Sequence, residues 1–423
     1  MKASIIPVEG ALQRAPKAAP VPWMVKLGRA LLRKQLAALA VGEISILEHG
    51  VTARFGAPGS GLRVTVEVIN EHFWSDAAFD GSVGAGEAYI NGYWRCDNLT
   101  TLVRIMVINA ELLSGMERSW AWLGAPLARL LHFLSRNSKD GSRRNIAAHY
   151  DLGNELFALF LDETMTYSCG IFQREDASMY EASIAKFERI CAKLELAPSD
   201  HLLEIGTGWG GLAIHAAREY GCRVTTTTIS RQQYLLAKER IAAAGLGDRI
   251  EVLLADYRDL TGQYDKLVSV EMVEAVGAAY LDTYFSRCSA LLKPAGMMLL
   301  QAITIRDQLY AAALRSVDFI QRFIFPGSFI PCVTALTASV QRASDMKLFD
   351  LEDIGPHYAT TLRRWRETFF RNLPQVRSLG YSDAFIRMWD YYLCYCEGGF
   401  AERQLGDVQM LLTKPRARPA PAA

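Results

Sequence analysis

No stretch of the 423-residue chain reaches the roughly 18 uncharged apolar residues that a bilayer-spanning helix needs. The most apolar candidate, WAWLGAPLARLLHFL near 120–134, is interrupted by Arg129 and His132 and reads as a buried or interfacial helix. The opening MKASIIPVEGALQRAPKAAP lacks an apolar core of the secretory kind. Eight cysteines in so long a chain make no disulfide framework. Cys394 and Cys396 stand one residue apart with no second pair, so no zinc pattern is spelled and no metal is expected. A reduced, cytoplasmic setting is the simplest expectation. An excess of charge is missing too: 46 Lys and Arg face 45 Asp and Glu, a net charge of +1. No global field then draws nucleic acid, and none is expected as a partner. Attraction to an anionic surface has to come from local patches.

What is present is an ordinary folded composition, 50% hydrophobic and 22% charged, with length for two domains. Residues 1–20 are Ala- and Pro-rich and read as loose. In WMVKLGRALLRKQLAALA, Lys26, Arg29 and Arg33 recur at helical spacing while Met24, Leu27, Leu31 and Leu32 point elsewhere. That pattern suits a cationic amphipathic helix on an anionic membrane and equally a plain surface helix with a solvated basic side. ISILEHGVTARF and RVTVEVI alternate with the strand period, with GAPGSG as the turn between them. A Gly- and aromatic-rich stretch follows, then a helical region over Leu99–Leu134 and the polar, basic RNSKDGSRRN, expected as a linker over 136–145 and a second phosphate-contacting patch.

From Leu202 the chain alternates strand and helix: HLLEIG, GLAIHAAREY, CRVTTTTIS, QQYLLAKERIAAAG, IEVLLAD, KLVSVEM, AAYLDTYFSRCSALLK, GMMLLQAITI. This order predicts an α/β fold with a doubly wound, mostly parallel sheet. From Arg306 to Phe400 the pattern is helical and aromatic-rich. The expected organisation is a smaller α+β N-terminal domain over 21–135, a catalytic domain over 146–413 and a flexible tail over 414–423.

LLEIGTGWGG, Leu202–Gly211, spells the dinucleotide fingerprint through Gly206, Gly208 and Gly211. It also spells E-x-G-x-G-x-G from Glu204 to Gly210, the loop that lies under S-adenosylmethionine in methyltransferases. A dinucleotide site wants an acid about 20 residues on, and the chain has TTTTIS there. With Glu204 at the loop and Asp256 after the third strand, in LLADYRDL, the methyltransferase spelling fits better.

HYDLGNELFALFLDETMTYSCGIF, His149–Phe172, resembles the signature of the cyclopropane-fatty-acyl-phospholipid synthase family and the related mycolic acid cyclopropane synthases. LEIGTGWGG, TISRQQ, DYRDL, VEMVEAVG, RFIFPG, HYATTLRRW and YYLCYCEGGF match in the same order, and GSVGAGEAYINGYW matches the longer bacterial form. The likeness covers about residues 40–413. It implies a class I methyltransferase, Rossmann-like, with a helical aromatic-rich insertion. The implied reaction is methyl transfer from S-adenosylmethionine to the cis double bond of a phospholipid acyl chain, leaving a carbocation. A base then removes a proton and closes a cyclopropane ring. In the family that base is a bound bicarbonate. The resemblance also implies a peripheral enzyme at the inner membrane face, an N-terminal domain that grips the membrane and feeds in acyl chains, and a homodimer.

By matching position, Tyr167, Ser168, Glu204, Gly206, Gly208, Gly210, Thr228, Gln233, Asp256 and Tyr257 are implied as cofactor contacts, with Gln233 in the ribose role. Cys169, Glu274, Tyr358 and Cys396 fall on active-site positions, Cys169 and Glu274 holding bicarbonate and Tyr358 hydrogen-bonding it. Each has a plainer reading: lone cysteines are mostly small buried hydrophobes, and Glu274 suits a helix start. Phe319, Phe323, Trp365, Phe369 and Trp389 read as core before acyl-channel walls.

The chain departs from the family's form at Ala275 and Gln301, where histidine is usual, the second being a bicarbonate ligand. Glutamine cannot carry a proton near neutral pH. Methyl transfer with a methylene, methyl-branched or furan-precursor product is therefore the alternative to a ring. An NAD-dependent oxidoreductase and a lipid-binding protein with a decayed site are the competing classes.

Overall fold

The computed structural model describes residues 22–110 and 153–420. The apolar stretch near 120–134, the linker expected at 136–145 and the start of the family signature at His149 lie outside them. The described residues form two compact units, one of 22–110, 315–326 and 373–404, the other of 153–314, 327–372 and 405–420.

In the first unit, β1 (Gly42–Glu48), β2 (Val51–Ala57), β3 (Arg63–Val68) and β4 (Trp94–Cys96) form a sheet in the order β2-β1-β3-β4. The run ISILEHGVTARF is two strands, turned at His49 and Gly50, whose φ values are +50° and +78°. GAPGSG then carries the chain across β1, so that β3 pairs with β1 in parallel instead of with β2. Alternation along β1 drives Ile44 and Ile46 inward.

The Gly- and aromatic-rich stretch is helical over His72–Phe79 and Gly81–Ile90. Its glycines permit close approach. A Cβ on Gly86 would stand 2.4 Å from the Phe319 ring, and one on Gly398 would stand 2.5 Å from Val103. Tyr89 donates to Asp390 at 2.8 Å and Thr100 to Glu397 at 2.9 Å. These contacts bring the helix Asp383–Ala401 and the π-helical turn Ile320–Ile324 into the first unit.

The second unit is built on β5 (His201–Ile205), β6 (Arg223–Thr228), β7 (Ile250–Leu254), β8 (Tyr264–Val270), β9 (Leu292–Ile305), β10 (Lys347–Asp353) and β11 (Leu405–Thr413). Their order is β7-β6-β5-β8-β9-β11-β10, with β5 to β9 parallel and β11 antiparallel to both neighbours. The expected doubly wound, mostly parallel sheet is there. The strand order reverses between β5 and β8, and ligands bind such sheets outside the carboxyl ends at that point. β10 and β11 lie in or beyond the stretch read as helical. The tail expected to be loose is held through 420: Lys414 bonds Asp345 at 2.5 Å, and the Ala420 N–H donates to Glu195 at 2.6 Å.

Candidate active site

The glycine loop leaves β5 at the reversal and enters the helix Gly211–Glu219. Gly206, Gly208 and Gly210 have φ values of +106°, +51° and +86°, conformations that disfavour side chains. A Cβ on Gly208 would meet nothing within 4 Å, so the loop's face is open for a ligand to approach the backbone. Behind it, Thr226 donates to Glu204 at 2.5 Å, and its hydroxyl lies 2.8 Å from that of Thr207. Burial raises the Glu204 carboxyl to about 8, while Thr226 and the charge of Lys186 act in the opposite direction. At the end of β6, Thr228 donates to the Gln233 side-chain oxygen at 2.8 Å, which turns the amide NH2 the other way. Ser230 caps the helix Arg231–Ala243 that carries Gln233. Asp256 is 3% exposed and grips Arg258 through both carboxylate oxygens, at 2.8 and 2.6 Å. Tyr257 meets Tyr284 edge-on at 5.5 Å. Tyr167 packs among Phe157, Phe160 and Trp365, and Ser168 accepts from the buried Lys186 at 2.5 Å.

A second cluster lies at the ends of β8, β9 and β11, and its centre is Glu271. Its Oε1 accepts from the Cys169 N–H at 2.9 Å and from Gln301 Nε2 at 2.8 Å. Its Oε2 accepts from the Tyr358 hydroxyl at 2.6 Å. Gln301 also donates to Asp407 at 2.9 Å and accepts from Gln409 at 3.1 Å, so three strands meet in one amide. Glu274 accepts from the Ile303 N–H at 2.6 Å, while its Oε2 and the Oδ1 of Asp407 are buried without partners among the described residues. Burial, then the charge of Glu271, lifts the Glu274 carboxyl to about 8. The same causes hold Asp407 well above the usual carboxylate range. The Cys169 thiol is pushed well up by burial and by Asp407 and Glu271, so it stays protonated and is no thiolate nucleophile.

The family described as mycolic acid cyclopropane synthetase matches residues 137–410. The tuberculostearic acid methyltransferase of Mycobacterium tuberculosis is 40% identical over 79% of each chain. The cyclopropane-fatty-acyl-phospholipid synthase of Escherichia coli is 36% identical over 82% of this chain and 87% of its own. The chain belongs to that synthase family. A solved mycolic acid cyclopropane synthase complexed with SAH and CTAB is 31% identical, with a TM-score of 0.60 over 64% of this chain and 98% of its own. The fold is that of the class I methyltransferases, and this family member is an S-adenosylmethionine-dependent methyltransferase. The oxidoreductase reading falls with the missing ribose acid.

Of the site residues that the sequence singled out, Cys169, Tyr358 and Gln301 are joined through Glu271, and Glu274 bonds the next strand. Cys396 belongs to the other unit, where burial and Asp318 raise its thiol. Phe319, Trp365, Phe369 and Trp389 are fully buried, in keeping with core. Glu271, Asp407 and Lys186 were not singled out. Glu271 had a signal, a carboxylate directly after the apolar KLVSV and three residues before Glu274. Lys186 had another, a cation on the buried stripe of the helix Met179–Lys193, between Ser183 and Phe187.

The glycine loop, with its open face and the Gln233 amide, fits S-adenosylmethionine. Bicarbonate does not fit the second cluster as it stands. The Cys169 N–H, the Tyr358 hydroxyl and the Gln301 amide are already bonded to a carboxylate, and a further anion would face Glu271 at close range.

Proposed function

We propose that this methyltransferase moves the methyl group of S-adenosylmethionine onto the cis double bond of an unsaturated phospholipid acyl chain. The cation formed there leaves as a methylene- or methyl-branched chain. Gln301 carries this reading. Where the family has a proton-carrying imidazole, this chain has an amide whose nitrogen bonds Glu271 and Asp407 and whose oxygen bonds Gln409. With an amide in place of the imidazole, a neighbouring hydride migrates to the cation before a proton is lost. Loss of a proton from the transferred methyl then leaves a methylene double bond on the chain. The 40% identical relative carries the name of a methyltransferase in support. Ring closure is the second reading, favoured by the synthase at 36% identity. The reaction needs water kept from the cation, which suits a pocket whose groups are already hydrogen-bonded. The protein works at an anionic membrane face, to which the helix Pro22–Ala37 brings its exposed cations.

The test is mass spectrometry of fatty acids released after incubation with labelled S-adenosylmethionine and vesicles of unsaturated phospholipid. A gain of one CH2 that still takes up hydrogen is expected, with Gln301→His shifting product toward the hydrogenation-resistant ring. A ring from the wild type overturns the branched product. Binding of S-adenosylhomocysteine without methyl transfer to any lipid would point to a decayed site.

A further inference from the structure

We infer that the Glu271 carboxylate stands in the place of a bound anion and is itself the base that takes the proton after methyl transfer. This rests on the methyl transfer proposed above, and is independent of whether a ring or a branch results. The donors converge from three separate parts of the chain: the Cys169 N–H at 2.9 Å, Gln301 at 2.8 Å and Tyr358 at 2.6 Å. All three residues are buried, Cys169 and Gln301 completely. Three convergent donors define an anion site, and here the anion is covalently part of the chain.

The backbone is bent to deliver it. Glu271 has φ +48°, a left-handed conformation that costs a residue with a side chain about 1 kcal/mol or more. The bend is pinned by its N–H, which donates to the Gln301 carbonyl at 2.8 Å. Directly after β8 it turns the carboxylate back over the ends of β9 and β11. Such strain persists where surrounding structure fixes it, and is concentrated at functional sites.

The charges agree. Three carboxyls, Glu271, Glu274 and Asp407, crowd one buried place, and the two neighbours are driven toward their protonated forms. Lys186 is buried on the helix Met179–Lys193; burial lowers its pKa, while the charges of Glu271 and Asp407 act in the opposite direction. Among these bonds Oε1 takes two donors and Oε2 one, and the Asp407 carboxyl hydrogen-bonds the same carboxylate.

The step balances without an added reagent. A C–H bond of the transferred methyl breaks, and its electron pair fills the cation by forming a C–C bond in the ring or a C=C bond in the branch. Its proton passes to Glu271 Oε2 and on to solvent as product leaves. The sulfonium departs as a neutral thioether, so the positive charge that entered with the methyl group leaves as that proton.

Glu271→Gln and Glu271→Gly separate the alternatives, glycine being suited to the positive φ. In CO2-free buffer, wild-type turnover should be unchanged by adding bicarbonate. Glu271→Gln should lose about 10²–10⁴-fold in turnover, the range of a lost general base, while thermal stabilisation by S-adenosylhomocysteine persists. Glu271→Gly should recover at least about tenfold with millimolar bicarbonate or acetate, as the vacated donors take up an external anion. Line broadening of ¹³C-bicarbonate, read without turnover, should appear with Glu271→Gly and be absent with wild type. Bicarbonate binding to wild type, loss of its turnover without bicarbonate, or full turnover in Glu271→Gln would each overturn the assignment. If no lipid is methylated but only Glu271→Gly binds bicarbonate, the lipid reaction fails and the anion place of Glu271 stands.

Discussion

Glu204 shows how a single buried carboxyl can tax the fold. Its carboxyl stands at about 8 because burial penalises the charge, against about 4.3 in an unfolded chain. Between those values the native state holds a proton that the unfolded state has released. Stability from this group is therefore complete below about pH 4 and is lost as pH rises through about 8. Glu204→Gln is neutral at every pH. Without cofactor, its unfolding free energy should fall less between pH 5.5 and 8.5 than that of the wild type, by at least about 1 kcal/mol, seen as a smaller drop in melting temperature. Parallel melting curves against pH would show that Glu204 is ionised in the native state. At this scale the sequence was legible where a motif has a fixed spelling, as for Glu204 and the glycines. At Glu271 the carboxylate after KLVSV was a signal, but its place is set only by the convergence of Cys169, Gln301 and Tyr358 on it. Asp407 and Gln409 were hidden for a related reason: polar residues inside a fully buried strand make sense only beside Gln301 on the neighbouring strand.

Elements were legible where one face or one period dominates. The parallel strands β5 to β9 are runs of apolar and β-branched residues set between helices, and they fall where the alternation puts them. β10 has mixed exposure and a polar sequence, KLFDLED, which hides an edge strand. Helical glycines mislead as well. By propensity, Gly28 in the helix Pro22–Ala37 is a weakness that alanine should mend by about 1 kcal/mol. The packing reverses the sign. A Cβ at Gly28 would lie 2.4 Å from the Trp74 carbonyl oxygen and 2.8 Å from its carbon, and backbone cannot step aside as a side-chain tip can. Trp74 is itself fixed, since its indole donates to Glu48 at 2.9 Å and Glu48 accepts from Arg29 at 2.7 Å. Gly28→Ala should lower stability by about 1–3 kcal/mol, seen as a lower urea midpoint at unchanged slope. A stabilised variant would mean that the two helices can separate at no cost.

For the whole molecule, a net charge of +1 means that any hold on an anionic membrane is local. The spacing of Lys26, Arg29 and Arg33 suggested a continuous basic face, and the structure divides it. Arg29 is drawn into an ion pair with Glu48 and lies over the Trp74 ring, 5.5 Å from its centroid. Lys26, Arg33 and Lys34 stay exposed, beside Trp23 at 60% exposure. Near an anionic surface each cation contributes about 1 kcal/mol, and screening at high salt removes most of it. Trp23 adds an aromatic ring suited to the headgroup level. The protein should therefore sediment with anionic phospholipid vesicles at low salt, be released at about 0.5 M salt, and ignore neutral vesicles. Lys26→Gln with Lys34→Gln should weaken binding by about 2 kcal/mol, roughly 30-fold, without changing stability or S-adenosylhomocysteine binding, since neither side chain makes an ion pair among the described residues. Salt-independent sedimentation, or unchanged binding in the double variant, would place the lipid contact on another surface and leave this helix as plain scaffold.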